Sequence, residues 1–448
     1  MKSWDAERVA AAAGGRLINA PRVSDGPIRV VIDSRAVAPG DLFVGLRGAH
    51  DDGGRFAQQA LDSGAWGVLA AAPLGAATEG GAVIEAEDPL ASLALLARAW
   101  RRELGATVVA VTGSTGKTST KDIIAALLAG ERVTVATPEN LNTEIGVPLA
   151  ILGAPEGTEV LVLELAMRGA GQIAELAAIC EPDIGVIVNV GPAHLELLGS
   201  VEAIAAAKAE LLASLPDSGT AVVPAGEHLL DPYLPERAAT VHFGPGGDVA
   251  VAAVTAEGVE LDVFGESTVI EPGFRQAHLL LDLCAGVAVA RVLGIALAGR
   301  VEVPFSGLRG ERIELTGGVT IINDCYNANP MSMLAALEDL GSDTLAVRRV
   351  AVLGDMLELG ADADGYHRAL GDQATDARVL ILVTVGELAG LAGETFLGGE
   401  HFHVADASEA ADVLAPLLQR GDVVLVKASR GMRLEAVALR LALLRAGA

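Results

Sequence analysis

A glycine-rich segment between an apolar run and a helical pattern is where the residue types predict chemistry most directly. The segment reads VTGSTGKTST, residues 111–120, and follows a short β-branched run typical of a buried parallel strand. A strand, a glycine turn and a helix N-terminus direct backbone N–H groups and the helix dipole at a phosphate. A lysine buried there would be costly unless it met an anion. The predicted phosphate-loop residues are Gly113, Ser114, Thr115, Gly116, Lys117, Thr118 and Ser119.

This loop departs from the common pattern G-x-x-x-x-G-K-[ST], because Val111 stands where the first glycine belongs. The glycine-lysine-threonine end of the pattern is intact. The residue types therefore predict nucleotide phosphate binding, but they leave open which reaction uses the loop.

Polar residues follow the next two predicted strands of the same block. Glu164 ends the apolar run VLVLEL, and Asn189 and His194 come at and after the run IGVIVNV. Ligands of open α/β sheets lie beyond the carboxyl ends of the strands, so these side chains are expected near the phosphate loop. Mg²⁺ prefers carboxylate and hydroxyl oxygens, which favours a metal site at Thr118 and Glu164. The pattern alone leaves His194 open between a metal ligand and a structural histidine.

A second polar group follows a strand in the last third of the chain. The segment IINDCYNANPMSM places Asp324, Tyr326 and Asn327 at a strand end, where they could hold a ribose hydroxyl and stack on a base. Asn329 is predicted to be the N-cap of the following helix, with proline at its first position. Arg312 lies just before this strand and is either a phosphate clamp or a surface charge.

The composition limits the possible partners. Acidic residues outnumber basic ones by 58 to 32, and the formal charge of −26 argues against nucleic acid binding. The three cysteines form no C-x-x-C pair, which favours reduced thiols and a cytoplasmic enzyme. The first ten residues lack the apolar core of a signal peptide. The most apolar long segment, residues 279–297, is interrupted by Asp282 and Arg291, so no membrane insertion is expected.

The order of strand and helix patterns predicts an α/β protein of three domains. Residues 1–105 form a small N-terminal α/β domain, and residues 106–300 a central phosphate-loop domain with a parallel sheet. Residues 301–448 repeat the alternation of strand and helix and are expected to form a Rossmann-like, doubly wound domain. Clefts between these domains are the expected ligand sites.

The motifs together resemble those of the Mur ligases, and the resemblance covers nearly the whole chain. The matching segments are TGSTGKT, NTEIGVP, LELAMRG, NVGPAHLELLGS, INDCYNANPMSM, LGDMLELG and VLVKASRGM. The shortened loop then has an explanation, because the loop of this family starts at its threonine-glycine step. NDCYNANP and LGDMLELG are the segments that separate members by the group they add. At these two segments the resemblance implies a family member that would join D-alanyl-D-alanine to UDP-N-acetylmuramoyl-tripeptide.

The resemblance implies an ATP- and Mg²⁺-dependent amide ligase that acts through an acyl phosphate, and a monomer is expected. It implies that the N-terminal domain holds the UDP end of the substrate, the central domain ATP, and the C-terminal domain the incoming amine. By position, Lys117, Glu164, His194 and Lys208 carry the catalysis, and Lys208 matches a lysine that these ligases carry as a metal-binding carbamate. Without the resemblance, Lys208 in its alanine-rich helix would be interpreted as a solvated residue.

Further residues are assigned only by position. The implied metal site contains Thr118, Glu164, His194 and Lys208. Besides the phosphate loop, the implied nucleotide-binding residues are Asn189, His278, Arg312, Asp324, Tyr326 and Asn327. The implied substrate-binding residues are Ser34, Arg35, Arg47, Gly48, Asn142 and Thr143. The chain departs from the family pattern at Glu139, where a glycine is expected, and at Leu279 and Asp282, where asparagines are expected.

Two alternatives remain at the level of sequence. One is another ATP-dependent amide ligase of the same architecture, of the folylpolyglutamate synthase type, which NDCYNANP argues against. The other is a phosphate-loop switch without ligase chemistry. A GTPase of that kind would be expected to contain N-K-x-D, and no asparagine of this chain is followed by lysine.

Overall fold

The structure is a computed structural model that describes residues 1–20, 25–48, 51–71, 74 and 80–446. These residues form three sheets, which follow one another along the chain. The prediction of a three-domain α/β protein is confirmed. The predicted boundaries at residues 105 and 300 stay a prediction, although each sheet falls inside its predicted range.

The N-terminal domain is built on a five-stranded sheet of order β1-β5-β4-β3-β2, in which only β1 is antiparallel to its neighbour. Its elements are α1 (Ala6–Ala12), β1 (Arg16–Asn19), β2 (Arg29–Val31), β3 (Asp41–Gly45), α2 (Ala57–Asp62), β4 (Gly67–Ala71), β5 (Ala82–Ala86) and α3 (Pro89–Leu104). The Asp88 side chain caps α3, Pro89 occupies its first turn, and Gly105 ends it in the left-handed region.

The central domain contains a ten-stranded sheet of order β15-β14-β13-β12-β11-β10-β9-β6-β8-β7. Its first elements are β6 (Thr107–Thr112), α4 (Lys117–Leu128), β7 (Thr134–Ala136), α5 (Gly146–Gly153), β8 (Val160–Glu164), α6 (Gln172–Cys180), β9 (Ile184–Ile187), α7 (Leu195–Leu198) and α8 (Val201–Ala213). The others are β10 (Thr220–Pro224), β11 (Ala239–Phe243), β12 (Val249–Val254), β13 (Val259–Val263), β14 (Glu266–Glu271), α9 (Ala277–Val292) and β15 (Gly299–Arg300).

The sheet of the central domain is mixed, so the prediction of a parallel sheet was only partly right. Strands β6 to β11 are parallel, as predicted, and their buried β-branched residues form the core beneath the phosphate loop. Strands β12, β13 and β14 form an antiparallel extension that was not predicted. The signal was present, because Val259, Leu261 and Val263 are buried and alternate with polar residues, as a half-buried strand requires.

The C-terminal domain has a six-stranded sheet of order β16-β17-β21-β18-β19-β20, parallel except at β16. Its elements are β16 (Glu311–Leu315), β17 (Val319–Asn323), α10 (Pro330–Ser342), β18 (Arg348–Gly354), α11 (Ala363–Asp376), β19 (Val379–Val385), β20 (Glu400–Val404), α12 (Ala407–Leu414), β21 (Asp422–Lys427) and α13 (Glu435–Ala446). A short 3₁₀ segment, Ala389–Glu394, stands between β19 and β20, where the alternation of strand and helix predicted a helix.

The domains are connected in different ways. Helix α3 of the N-terminal domain packs on α5 and α6 of the central domain, and one hydrophobic core runs through both domains. The C-terminal domain has two core clusters of its own. Its linker is fixed to the phosphate-loop helix, because the Asp122 carboxylate accepts a hydrogen bond of 2.9 Å from the Ser306 N–H. None of the described helices has the length and apolar character needed to cross a membrane.

Candidate active site

The phosphate loop connects β6 to α4 and is tied to the end of the neighbouring strand. The Asn189 side chain accepts hydrogen bonds from the N–H groups of Ser114 (3.1 Å) and Thr115 (3.0 Å) and donates one to the Thr115 carbonyl (3.1 Å). Val111 is buried inside β6, which continues to Thr112, so the loop begins two residues after the position where a longer loop would need glycine. Gly116 has φ of +76°, and a Cβ there would lie 2.9 Å from Asp282 Oδ1. This position therefore requires glycine.

Lys117 is the first residue of α4 and lines the cleft beside the loop. Its ammonium donates a hydrogen bond of 2.8 Å to the Gly113 carbonyl, which holds the side chain across the loop. Burial lowers the pKa of Lys117, and the nearby Glu164 carboxylate opposes that shift. A phosphate in the loop would supply the anionic partner that this ammonium lacks.

Thr118 and Glu164 meet at the carboxyl end of the sheet, although they are 46 residues apart in sequence. The Thr118 hydroxyl donates a hydrogen bond of 2.6 Å to one oxygen of the buried Glu164 carboxylate. The Asn142 amide donates one of 2.8 Å to the other oxygen. The carboxylate is thus oriented on both sides and keeps free lone pairs towards the cleft.

His194 lies at the start of α7, in the left-handed region with φ of +58°. Its Nδ1 is 2.5 Å from an oxygen of Glu358, which belongs to the C-terminal domain. A carboxylate accepts hydrogen bonds, so Nδ1–H is the donor and Nε2 is left with a free lone pair. Burial lowers the pKa of His194, while Glu358 acts in the opposite direction.

Lys208 projects from α8 and is 2% exposed, so the interpretation as a solvated residue was wrong. Its burial follows from the helix, which presents its alanines and leucines to the core together with this lysine. Among the described residues, no hydrogen bond or carboxylate partner satisfies its ammonium. Burial lowers the pKa of Lys208 well below the ordinary value, and the nearby Lys117 charge lowers it further.

The C-terminal domain supplies the opposite wall of the cleft, with side chains that are mostly paired. Asp324 accepts a hydrogen bond of 2.6 Å from the buried Lys427 ammonium, which also donates to the Asn327 carbonyl at 3.0 Å. Arg312 is 2.7 Å from Asp343. The Arg309 guanidinium lies over the ring of Tyr326, 4.0 Å from its centroid.

Two further contacts join this wall to the central domain, in addition to the contact between Glu358 and His194. Asn329 caps α10 as predicted, within a capping box, and its Nδ2 also donates to the Ser114 carbonyl at 3.3 Å. Met331 lies against Gly191, where an added Cβ would approach the Met331 sulfur to 1.9 Å. The first turn of α10 is therefore seated on the phosphate loop.

The two domains enclose a cleft of about 1560 Å³. Most of the predicted nucleotide-binding and metal-binding residues line this cleft, together with the two substrate-binding candidates Asn142 and Thr143. They are Ser114, Thr115, Gly116, Lys117, Thr118, Ser119, Asn142, Thr143, Glu164, Asn189, His194, His278, Arg312, Asp324, Tyr326 and Asn327. Gly113 and Lys208 lie behind its surface.

The predicted UDP-side residues do not line this cleft. Arg35 is exposed and pairs with Asp33 at 2.8 Å, next to Ser34. Arg47 borders a second, smaller cavity of about 420 Å³, and the adjacent Gly48 is not part of its lining. The structure therefore brings the nucleotide-side predictions together and leaves the UDP-side predictions outside this cleft.

Sequence reasoning missed two residues that line the cleft, Arg309 and Lys427, and a third, Glu358, that contacts the lining residue His194. Glu358 lies in LGDMLELG, a segment that indicated the family member but no individual site residue. Lys427 lies in VLVKASRGM, and a lysine at the end of a buried strand was a signal for a paired charge. Arg309 had no signal beyond its position three residues before Arg312.

Comparison with known proteins identifies the family. Three sequence families match in separate parts of the chain: "Mur ligase family, catalytic domain" over residues 29–99, "Mur ligase middle domain" over 111–285, and "Mur ligase, glutamate ligase domain" over 308–430. The UDP-N-acetylmuramoyl-tripeptide–D-alanyl-D-alanine ligase of Bacillus subtilis is 36% identical, over 91% of this chain and 92% of the relative. The chain belongs to the Mur ligase family. The expectation of an ATP-dependent ligase of this family is thereby confirmed.

Other Mur ligases agree over the same extent. The enzyme of the same name from Mycobacterium tuberculosis is 37% identical, over 91% of each chain. A crystal structure of MurF from Acinetobacter baumannii superposes with a TM-score of 0.87 at 27% identity, covering 98% of each chain. The structure of MurF ligase from Thermotoga maritima in complex with ADP has a TM-score of 0.82 at 32% identity, and covers 94% of this chain and 98% of that one.

Proposed function

We propose that this Mur ligase joins D-alanyl-D-alanine to UDP-N-acetylmuramoyl-tripeptide at the expense of ATP, in the cytoplasmic synthesis of peptidoglycan precursors. Relatives named UDP-N-acetylmuramoyl-tripeptide–D-alanyl-D-alanine ligase match more than nine-tenths of the chain. The observation that carries the proposal is the cleft itself, in which Lys117 and the Thr118–Glu164 pair face residues of a second α/β domain. A phosphate loop between two domains suits a reaction in which a phosphoryl group passes between two bound substrates.

The reaction has two steps. The terminal carboxylate of the tripeptide attacks the γ-phosphorus of ATP, the bond to the β–γ bridging oxygen breaks, and an acyl phosphate and ADP form. The amine of D-alanyl-D-alanine then attacks the acyl carbon, loses a proton, and inorganic phosphate departs. Activation is needed because a carboxylate has no adequate leaving group of its own.

The residues of the central domain have distinct tasks in the first step. The loop N–H groups and Lys117 stabilise charge on the transferred phosphoryl group, which is the main source of catalysis in phosphoryl transfer. Asn189 keeps the loop in shape through its hydrogen bonds to Ser114 and Thr115. Because these groups are held before the substrate arrives, they need no reorganisation during the reaction.

The donor set also fits Mg²⁺, which would neutralise phosphate charge when bound. Thr118 and Glu164 offer the hydroxyl and carboxylate oxygens that Mg²⁺ prefers. His194 Nε2 is free for a ligand, since Nδ1 is held by Glu358. The buried Lys208 ammonium, without a partner among the described residues, fits a carbamate that would turn a cation into an oxygen ligand. Each of these metal roles belongs to the proposal.

The domain roles and UDP-side contacts are proposals of the same kind. Residues 1–105 would hold the UDP end through Ser34, Arg35, Arg47 and Gly48, residues 106–300 ATP, and residues 301–448 the incoming amine. Asn142 and Thr143 would contact the tripeptide or phosphates from the floor of the cleft. The protein would act as a monomer, without nucleic acid.

The deciding measurement is the product mass after incubation with ATP, Mg²⁺, the UDP-linked tripeptide and D-alanyl-D-alanine. We expect the tripeptide mass plus that of the dipeptide less one water, with ADP and phosphate released in equal amounts. In a parallel incubation with a folate substrate and glutamate, formation of an amide between them would support the folylpolyglutamate alternative. ATP hydrolysis that ignores both substrates, or a strict preference for GTP, would support a switch without ligase chemistry.

A further inference from the structure

We propose that Arg309, which the interdomain linker carries, binds the nucleotide phosphates from the side opposite the phosphate loop. This inference deepens the proposed function and rests on it only in taking the bound nucleotide to be ATP. At the level of sequence, Arg312 was the candidate for a phosphate contact, with a surface charge as its alternative.

The pairing of the three arginines that line the cleft distinguishes Arg309 from the other two. Arg312 is 2.7 Å from Asp343, and Arg168 is 4.0 Å from Glu358. Among the residues that the structure describes, Arg309 has no carboxylate within 4.0 Å. The charge of Arg312 is therefore already compensated, whereas that of Arg309 is available to an anion.

The immediate surroundings of Arg309 do not satisfy its guanidinium. Its Nε is buried and has no hydrogen-bond partner among the described residues. An unsatisfied buried donor costs about 1–3 kcal/mol, and more when the group is charged. In a protein of net charge −26, an arginine that lines the interdomain cleft and has no carboxylate partner among the described residues indicates an anionic ligand.

Arg309 is also near the groups that would hold the triphosphate. Its charge is close enough to lower the pKa of the Lys117 ammonium and to oppose the raised pKa of Asp282, beside Gly116. Two like charges at one end of a cleft repel each other unless an anion lies between them. The phosphates of a nucleotide held by the loop would be that anion.

The backbone and a ring hold Arg309 in position. Leu308 and Gly310 on either side have positive φ, of +61° and +68°, so the chain turns sharply at this residue. The Tyr326 N–H donates to the Leu308 carbonyl at 3.3 Å, and the Tyr326 ring supports the guanidinium from one face. A planar guanidinium stacked on a ring keeps its N–H groups directed outward in its own plane, which suits bidentate phosphate binding.

The test measures the affinities of AMP, ADP and a non-hydrolysable ATP analogue for the full chain by calorimetry, at fixed Mg²⁺ and salt. We expect Arg309→Gln to weaken the ATP analogue about 10–100-fold, as loss of a charged hydrogen bond predicts, with a smaller loss for ADP and least for AMP. Arg309→Lys keeps the positive charge but lacks the paired N–H groups of a guanidinium, so it should recover part of the lost affinity for the ATP analogue. Arg300→Gln removes the same charge from an exposed position that the linker follows, and should change none of the three affinities.

Several outcomes would overturn the inference. An equal loss for all three nucleotides, or no loss for the ATP analogue, would mean that Arg309 does not contact phosphate. A lower melting temperature of the nucleotide-free variant without a phosphate-dependent loss would mean a structural role. Failure of the wild-type protein to ligate would overturn the proposed function alone, because the affinity series is read without turnover.

Discussion

The two walls of the cleft are built in different ways. On the central wall, the side chains are hydrogen-bonded to one another within one sheet: Asn142 and Thr118 hold Glu164, and Asn189 holds the loop. On the C-terminal wall, the charges of Asp324 and Arg312 are paired within their own domain, Arg309 is the exception among the described residues, and a few contacts cross to the phosphate loop and to His194. The first wall is therefore complete by itself, whereas the second contributes through docking of a separate domain.

This difference indicates that the chain can bind nucleotide before the reaction begins. A preformed central wall can take up nucleotide phosphates while the C-terminal domain is undocked. The crossing contacts are individually small, so docking and undocking need not be costly. Residues of the central wall should thus affect binding and chemistry together, while residues at the crossing contacts should affect turnover more than nucleotide affinity.

The largest effect is expected from Lys117→Ala on the central wall. Loss of the ammonium removes charge stabilisation of the transferred phosphoryl group, and we expect ligation to fall about 10³-fold or more. Ligated product should be measured by mass, with the melting temperature as a check of folding. Lys2→Ala, at an exposed position outside the cleft, is the control. Full activity of Lys117→Ala would remove the phosphate loop from the mechanism.

The next largest effect is expected from Glu358→Ala, which removes the contact between the C-terminal domain and His194. Without its carboxylate, His194 loses the acceptor that fixes its Nδ1–H tautomer, and partners of this kind typically matter 10–100-fold. We expect kcat to fall about 10–100-fold while ADP affinity changes little. The ¹⁵N signals of His194 should move from one tautomer to a mixture, which a merely structural change elsewhere would not produce.

Glu394→Ala is the matched control for this variant. Glu394 lies in the same domain and pairs with Arg368 at 2.8 Å on the surface, so its loss should leave kcat and the His194 signals unchanged. A Glu358→Ala protein with normal kcat and an unchanged His194 spectrum would contradict the role of Glu358 in fixing the His194 tautomer.

The same division explains what the sequence could and could not predict. The phosphate loop, Glu164 and Asn189 were predictable because short segments fix them: a buried strand, a glycine turn and a strand end. Arg309 and Glu358 were not, because their importance depends on how one domain docks on another. For Arg312, the neutralising partner Asp343 lies 31 residues away at the end of α10.

Similar reasons apply to the burial of single residues. An alanine-rich helix with one lysine suits either a solvated or a buried face, and only the packing of α8 decides that Lys208 is inside. By contrast, the family's glycine at position 139 left a trace in the backbone, because Glu139 has φ of +49°. The backbone conformation of a residue can therefore be predicted from the sequence more directly than the surroundings of its side chain.

A third prediction tests the buried carboxyl of Asp282, which lines the cleft beside Gly116. Burial raises the pKa of Asp282 from 3.8 to about 8, so the folded protein keeps a proton that the unfolded chain releases. Between about pH 4 and pH 8 the unfolded state therefore binds fewer protons, and the free energy of unfolding falls as pH rises. Asparagine does not titrate, so Asp282→Asn does not lose stability as pH rises. Each unit of pKa difference is worth about 1.4 kcal/mol. We therefore expect the variant's free energy of unfolding at pH 8 to exceed that of the wild type by at least about 2 kcal/mol, which raises the melting temperature by about 4–8 °C.

The measurement is the melting temperature of nucleotide-free wild type and Asp282→Asn at pH 5 and at pH 8. The variant should gain most at pH 8 and least at pH 5. Asp217→Asn, at an exposed surface pair with Arg237, should show no such dependence on pH. A gain that is equal at both pH values would mean that Asp282 is not a buried, neutral carboxyl.

The smallest effect is expected where α10 meets the phosphate loop, at Asn329. Its Oδ1 caps the helix by accepting from the Ser332 N–H at 2.9 Å, while its Nδ2 donates to the Ser114 carbonyl at 3.3 Å. Asn329→Ala loses both contacts, and the lost cap alone should cost about 1 kcal/mol of stability. Asn329→Asp keeps the cap but cannot donate, so it should retain the melting temperature and lose only the crossing contact. We therefore expect Asn329→Asp to reduce kcat by less than about 10-fold, at unchanged ADP affinity. If both variants lose stability equally and neither changes kcat, Asn329 serves α10 alone and the walls dock without it.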